Sequence, residues 1–167
     1  MGLHYKSTTT FPIFGSVVHT YLGDNTTIAT ATRTSVTLES TYQAESTTVA
    51  TKTFKTTGFS KLNLDFLYTM GGSETSNSIE VKVEGSPDGI NFYRIPNDAP
   101  SAGVSTLTAR EFTFVGTNGA ASTISVGLDI FYEFVRVSAK ETGVESNKGT
   151  IYAEGTLLGL WLWLKNV

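Results

Sequence analysis

Acidic residues in strand-like segments are the residues of this sequence whose chemistry is best suited to catalysis. Two carboxyl groups that face each other across a cleft can hydrolyse a glycosidic bond, one acting as the acid and the other as the base or nucleophile. Six acidic residues lie in such segments: Asp65, Glu80, Glu84, Glu111, Glu133 and Glu154. Because most of them alternate with apolar residues, the pattern favours the solvent-facing side of a sheet over an acid–base pair.

Other catalytic and metal-binding patterns are missing from the sequence. The chain has no cysteine, and its two histidines, His4 and His19, are too far apart to lie on one helical turn. No nucleophile elbow, phosphate-binding loop or zinc-protease helix motif occurs. Asp88 and Asp98 lack the spacing of a calcium loop and are typical of turns. We therefore expect no catalytic residues, no metal site and no cofactor, and so a protein that is not an enzyme.

Aromatic side chains offer a different chemistry, because their faces can stack on sugar rings. The candidates for such a platform are Tyr5, Tyr21, Tyr42, Tyr93, Trp161 and Trp163. Core packing competes with this interpretation, since Phe92, Tyr93 and Phe134 stand beside β-branched residues in strand-like segments. A glycan platform is therefore kept as the alternative.

The elements that would position these side chains are clearest in residues 78–95. The segment alternates strictly, with Ile79, Val81 and Val83 expected to be buried and Glu80, Lys82 and Glu84 expected to be exposed. Pro87, Asp88 and Gly89 follow, a combination that favours a tight turn. The segment is predicted to be a β-hairpin whose second strand covers Asn91 to Ile95.

The rest of the chain repeats this organisation of short strands and polar turns. Alternation also predicts a shared apolar face on two further strands, formed by Leu62, Leu64, Phe66 and Tyr68 in one and by Phe131, Val135, Val137 and Ala139 in the other. Glu133 lies on the face of Phe131 and indicates a strand end or a bulge there. With eight or more strands, no convincing helix and no internal repeat, the sequence predicts an all-β protein, an antiparallel β-sandwich that is jelly-roll-like. Residues 1–27 are predicted to be an extended N-terminal arm, and residues 28–167 a single β-sandwich domain.

The C-terminal segment differs from the other predicted strands because both of its faces are apolar. A strand of a small antiparallel sandwich normally exposes one face to water, so this pattern predicts a subunit interface. The interface residues are predicted to be Leu158, Leu160, Trp161, Leu162, Trp163 and Leu164. A core strand within one chain is the competing interpretation.

Composition limits the partners. The 167 residues are 40% hydrophobic and only 16% charged, with a net charge of −3 and no basic cluster, so nucleic acid is not expected as a partner. The apolar run from Leu157 to Leu164 is far shorter than the ~20 residues of a membrane-spanning helix. No membrane partner is therefore expected.

Three segments together resemble small β-sandwich proteins of bacteriophage virions, such as capsid decoration proteins, head fibres and tail accessory proteins. They are Phe59-Ser-Lys-Leu-Asn-Leu-Asp-Phe66, the hairpin from Val81 to Arg94, and Tyr132-x-Phe-Val-Arg-Val137. Carbohydrate-binding modules with a galactose-binding-like fold share the same rhythm of strands and turns.

The resemblance implies a structural virion protein, located in the virion, that binds the capsid or tail and neighbouring subunits. A homo-oligomer is expected, with a trimer favoured, together with contacts to other virion proteins. The alternative function is a carbohydrate-binding or adhesin module with surface glycans as its partner.

Overall fold

Twelve β-strands form the structure, a computed structural model that describes residues 4–21, 28–95, 111–116, 121–144 and 146–161. The strands are β1 His4–Phe14, β2 Ser16–Tyr21, β3 Ile28–Thr34, β4 Val36–Thr37, β5 Thr51–Lys55, β6 Lys61–Thr69, β7 Ser78–Ser86, β8 Tyr93–Arg94, β9 Glu111–Val115, β10 Ala121–Asp129, β11 Phe134–Thr142 and β12 Thr150–Trp161. Those residue ranges contain no helix, and hence none that could span a membrane.

The strand order defines a jelly roll. The first sheet has the order β1-β12-β6-β10, with β4 also paired to β12, and the second has the order β5-β11-β7-β8, with β9 also paired to β7. Leaving out β1 and β8, the sheets read β4-β12-β6-β10 and β5-β11-β7-β9. In this set, consecutive strands lie in opposite sheets at every step except from β7 to β9. This alternation is the double Greek key of a jelly roll. The predicted all-β sandwich is confirmed.

The core lies between the two sheets and is built from alternating apolar residues. The strands β6, β7 and β11 contribute its centre, with exposures of 3% or less at Leu62, Leu64, Phe66, Tyr68, Ile79, Val81, Val83, Val135, Val137 and Ala139. Removing such side chains from water contributes roughly 1.5–3 kcal/mol for each large apolar residue. The period of two in the sequence therefore places the core correctly on these three strands.

The predicted hairpin is present, but one of its outward residues is buried. Antiparallel pairing joins Glu84 to Arg94 and Gly85 to Tyr93, so the second strand is only two residues long. Glu84 was expected to be exposed, and this prediction is wrong, because the residue is only 7% exposed. Its carboxylate accepts hydrogen bonds of 3.0 and 2.8 Å from Arg136, whose guanidinium in turn lies 4.0 Å from the ring centre of Phe92.

The first 27 residues contain two strands that behave differently. β1 is paired along its length with β12, and its residues Ile13 and Phe14 belong to the core. β2 pairs instead with β3, as a separate two-stranded ribbon in which Val18 is 65% exposed. The domain boundary between residues 27 and 28 stays a prediction.

Candidate interaction surface

The predicted interface segment begins in the middle of the first sheet and extends past the end of β6 at one end of that sheet. β12 lies between β1 and β6 as far as Leu158, where Leu157 is buried in the core and Leu158 is half-buried. Beyond this point Leu160 and Trp161 pair with β1 alone. Leu162, Trp163 and Leu164 lie outside the described residues, so their assignment to an interface stays a prediction.

Two loops adjoin β12 where it passes the end of β6. The Ser60 amide donates to the Leu158 carbonyl at 3.1 Å, and the Ile130 amide donates to the Ser60 carbonyl at 3.0 Å. The turn after β7 reaches the same end, because Ser86 is paired with Phe134 at the start of β11. β12 and three turns of the chain therefore meet at one end of the sandwich.

Large apolar side chains are exposed on two of these turns and on the short strand β8 that follows one of them. Phe131 is 86% exposed, Ile90 is 80% exposed and Tyr93 is 55% exposed. Ile90, Tyr93, Phe131 and the half-buried Leu158, which all lie at this end of the sandwich, are together called the end surface below. Phe131 was predicted to share a face with Val135, Val137 and Ala139, with a strand end or a bulge at Glu133. β11 begins at Phe134, so Phe131 lies in the loop before the strand and not on its face.

Turn chemistry fixes the position of Ile90. The Asp88 carboxylate accepts hydrogen bonds from the Asn91 amide at 2.8 Å and from the Ile90 amide at 2.9 Å. These bonds, together with that from the Asn91 side chain, stabilise the ionised form and lower the pKa of Asp88 well below its usual range. Gly89 has a φ of 75°, a conformation that glycine adopts readily. Ile90 is thus exposed on an ordered turn.

The loop that carries Phe131 is equally well anchored. Tyr132 packs onto Gly85, where an added Cβ would lie 2.2 Å from the tyrosine ring, so only glycine leaves room for it. Thr56 donates its hydroxyl to the Tyr132 carbonyl and its amide to the Glu133 carbonyl. Lys55, 3.1 Å from Glu133, lowers the pKa of that carboxyl. A groove of about 320 Å³ runs between this loop and residues 56–59.

A second cleft lies on the outer face of the first sheet, beside the β2–β3 ribbon. Asp65 and Glu154 are direct cross-strand neighbours there, and both line a cleft of about 210 Å³ together with Arg33 and Tyr152. Like charges at such positions repel each other unless they are compensated. Asp65 accepts a hydrogen bond from Ser125, while the Tyr152 hydroxyl donates to Glu154 at 2.5 Å and Arg33 lies 3.6 Å from the same oxygen.

The cleft therefore contains the carboxylate pair that the sequence did not predict. Asp65 and Glu154 are far apart in the sequence, and the pairing of β6 with β12 brings them together. No local sequence pattern encodes that pairing. In the described part of the chain, no group of three or more histidine, aspartate or glutamate side chains is placed to hold a metal ion.

Tyr152, in this cleft, makes a pH-dependent contribution to the stability of the fold. Burial, and then its hydrogen bond to Glu154, raise the pKa of Tyr152 to about 12. The folded value exceeds the ordinary value of 10.0, so this stabilisation is present below pH 10 and is lost as the pH rises towards 12. We expect a late step near pH 12 in an ultraviolet titration of tyrosinate. The Tyr152→Phe variant should lose this step and Tyr93→Phe should retain it; an unchanged titration of Tyr152→Phe would contradict the assignment.

Comparisons with known proteins give only distant similarity. No protein-family model matches the sequence, and neither does any curated protein. One solved structure with similarity is described as "Bacillus endospore appendages form a novel family of disulfide-linked pili"; it is 11% identical, with a TM-score of 0.36, covering 95% of each chain. Another is a full particle of Israeli acute paralysis virus heated to 63 degrees; it is 12% identical, with a TM-score of 0.36, covering 96% of this chain and 76% of the other.

Proposed function

We propose that this protein is a structural subunit of a virion, which attaches to the capsid or tail and to neighbouring copies through the end surface. The observation that carries the proposal is the exposure of Ile90 and Phe131 on turns that are themselves tightly held. Clustered apolar side chains in water commonly mark a protein contact. Because the turns are ordered before binding, little conformational entropy is lost when a partner covers them.

The predicted interface segment fits the same geometry. β12 extends past the end of β6 beside the end surface while it stays paired with β1, so Leu160, Trp161 and the residues after them would extend the apolar contact. We favour a cyclic homotrimer, in which one patch on each copy meets a different patch on the next. Repeated weak contacts of a trimer with a shell or tail would then add through avidity.

The proposed role is binding and not catalysis. Asp65 and Glu154 form the one cross-strand carboxylate pair described above, and each already has a partner in Ser125, Tyr152 or Arg33. An acid–base pair needs one carboxyl free to protonate a leaving group and the other free to attack or activate water. The observed bonds instead suit a cleft that fastens the β2–β3 ribbon to the sheet.

Replacing the exposed end residues tests the proposal. The Ile90→Ser, Phe131→Ser variant should fold normally but lose about threefold in particle mass by light scattering, the ratio expected when a cyclic trimer dissociates. The matched control is Val18→Ser, Val115→Ser, which removes two valines that are 65% and 71% exposed elsewhere. It should keep the parent mass. Equal masses for both variants and the parent would show that the end surface does not hold subunits together.

A carbohydrate-binding or adhesin module remains the second candidate, and one observation favours it. Tyr93 and Phe131 are exposed aromatics at the same end, and Asp88 and Asn91 lie in the adjoining turn. Stacking on such rings with nearby polar groups is a common mode of sugar recognition. Glycan binding that is lost in Tyr93→Ala, while the mass stays unchanged, would support this function in place of the structural one.

A further inference from the structure

The edge strands of the two sheets differ in how well they are protected. An edge strand presents unpaired N–H and C=O groups, and proteins usually guard them with lysine, proline or a bulge. β1 carries Lys6 and Pro12, and its pairing with β12 has two register irregularities. β5 carries Lys52 and Lys55 within five residues. These two edges are therefore poor acceptors for a further strand.

β10 has none of these protections. Its sequence, Ala-Ser-Thr-Ile-Ser-Val-Gly-Leu-Asp, contains neither lysine nor proline, and it pairs with β6 over nine residues without a register shift. Among the described residues β6 is the strand to which it is paired, so its other edge is free there. Its one charged residue, Asp129, is at the very end of the strand and is paired with Lys61.

The core is also incompletely covered along this side of the sandwich. Ile124 and Val126 of β10 pack against the core but are only half-buried. Phe112 and Phe114, on β9 of the opposite sheet, are half-buried as well. A strand added at the edge of β10 would continue the main-chain hydrogen bonding and would cover apolar surface in the same step.

We propose that the free edge of β10 pairs antiparallel with β10 of a second copy of this chain, about a two-fold axis at Ser125. Ser125 is the midpoint of the strand, so this register uses its whole length. Ile124 then lies opposite the partner subunit's Val126, on the core-facing side. On the outer side, Thr123 lies opposite the partner subunit's Gly127, and the two copies of Ser125 face each other.

The pattern of charge and size along β10 favours a second copy as the occupant. In the two-fold register Asp129 lies opposite the partner subunit's Ala121, so no like charges face each other across the new pair. The outer positions are Thr, Ser and Gly, which let the strands approach without a bulky side chain between them. Because the contact is the same on both copies, it closes as a dimer and does not propagate. It is separate from the end surface and would exist without it.

A single lysine on the outer face of β10 tests this contact. The experiment uses the full chain carrying Ile90→Ser and Phe131→Ser, so that association through the end surface does not contribute. In the parent the threefold contact of the end surface and the twofold contact of β10 would act together, so loss of the end surface lowers the mass threefold and leaves a dimer. Ser125→Lys added to this dimer should lower the mass about twofold, to the 18.0 kDa of one chain. The new ammonium can pair with Asp65 in its own chain, which preserves folding, but two copies would repel each other across the axis.

The control places the same residue on the opposite edge of the same sheet. Thr10→Lys alters an exposed position of β1 and should leave the dimer intact. Hydrogen exchange gives a second readout: alternate amides of β10, those facing away from β6, should be protected in the dimer and should exchange rapidly in Ser125→Lys. A monomeric background protein, a dimer that survives Ser125→Lys, or rapid exchange of those amides in the dimer would each overturn the proposal.

Discussion

The Val81→Asp substitution is expected to abolish the folded state. Val81 is fully buried on β7 between β9 and β11, where its side chain faces the core. Burying a polar group without a hydrogen bond costs about 2–7 kcal/mol, and the lost apolar burial adds roughly 1.5–3 kcal/mol. These losses are comparable with the ~5–15 kcal/mol that stabilises a typical domain. We expect no cooperative thermal transition and little soluble protein.

The same chemical change at an exposed valine provides the control. Val115 is 71% exposed on β9, and β9 is paired with β7. Val115→Asp should change the free energy of unfolding by about 0.5 kcal/mol or less, as surface substitutions usually do. A Val81→Asp protein with an unchanged melting temperature would show that the register of β7 is wrong.

The second large effect is expected from Glu141→Leu. The Glu141 side chain is fully buried and accepts hydrogen bonds from the Tyr68 hydroxyl at 2.5 Å, the Gly149 amide at 2.6 Å and the Asn77 side chain at 3.3 Å. Each buried donor that loses its acceptor costs about 1–3 kcal/mol. We therefore expect a loss of at least about 3 kcal/mol in the free energy of unfolding, measured by urea denaturation.

A glutamate on the adjacent strand serves as the comparison. Glu80 is directly opposite Lys140 and forms a 2.8 Å ion pair with it, but its side chain is 32% exposed. Glu80→Leu should therefore lose at most about 1 kcal/mol, as is usual for surface pairs. If Glu141→Leu were as stable as Glu80→Leu, the three donors would have found other acceptors and the network would not be essential to the fold.

The sequence predicts this fold where the determining information is local. The turn at Pro87 to Gly89 is encoded by adjacent residues, and the inward face of β7 by a period of two. The burial of Glu84 was missed because it depends on Arg136, which is 52 positions away in the sequence and is brought alongside by the pairing of β7 with β11.

The candidate surface was predicted only in part, for the same reason. The apolar C-terminal segment indicates an interface, but Phe131 was grouped with the face of Val135 and Val137 because alternation continues past the end of the strand. Glu141, near the end of β11, is fully buried, although no pattern in the sequence singled it out. Its acceptor role is visible only when β6 and the start of β12 are in place, which no neighbouring residue in the sequence indicates.

The pairing of β1 with β12 has a kinetic consequence. Thr10 and Thr156 are hydrogen-bonded across 146 positions of the sequence, so the first sheet closes around a loop that spans most of the chain. Closing such a loop costs entropy before any contact compensates for it, and proteins dominated by distant pairings fold in roughly milliseconds to seconds. During synthesis, β1 and the core residues Ile13 and Phe14 stay without their partner strand until β12, about 146 positions further along the chain, has left the ribosome. The ribosome-bound chain would therefore expose an unpaired strand, and chaperone binding to nascent β1 would favour a good yield of folded protein.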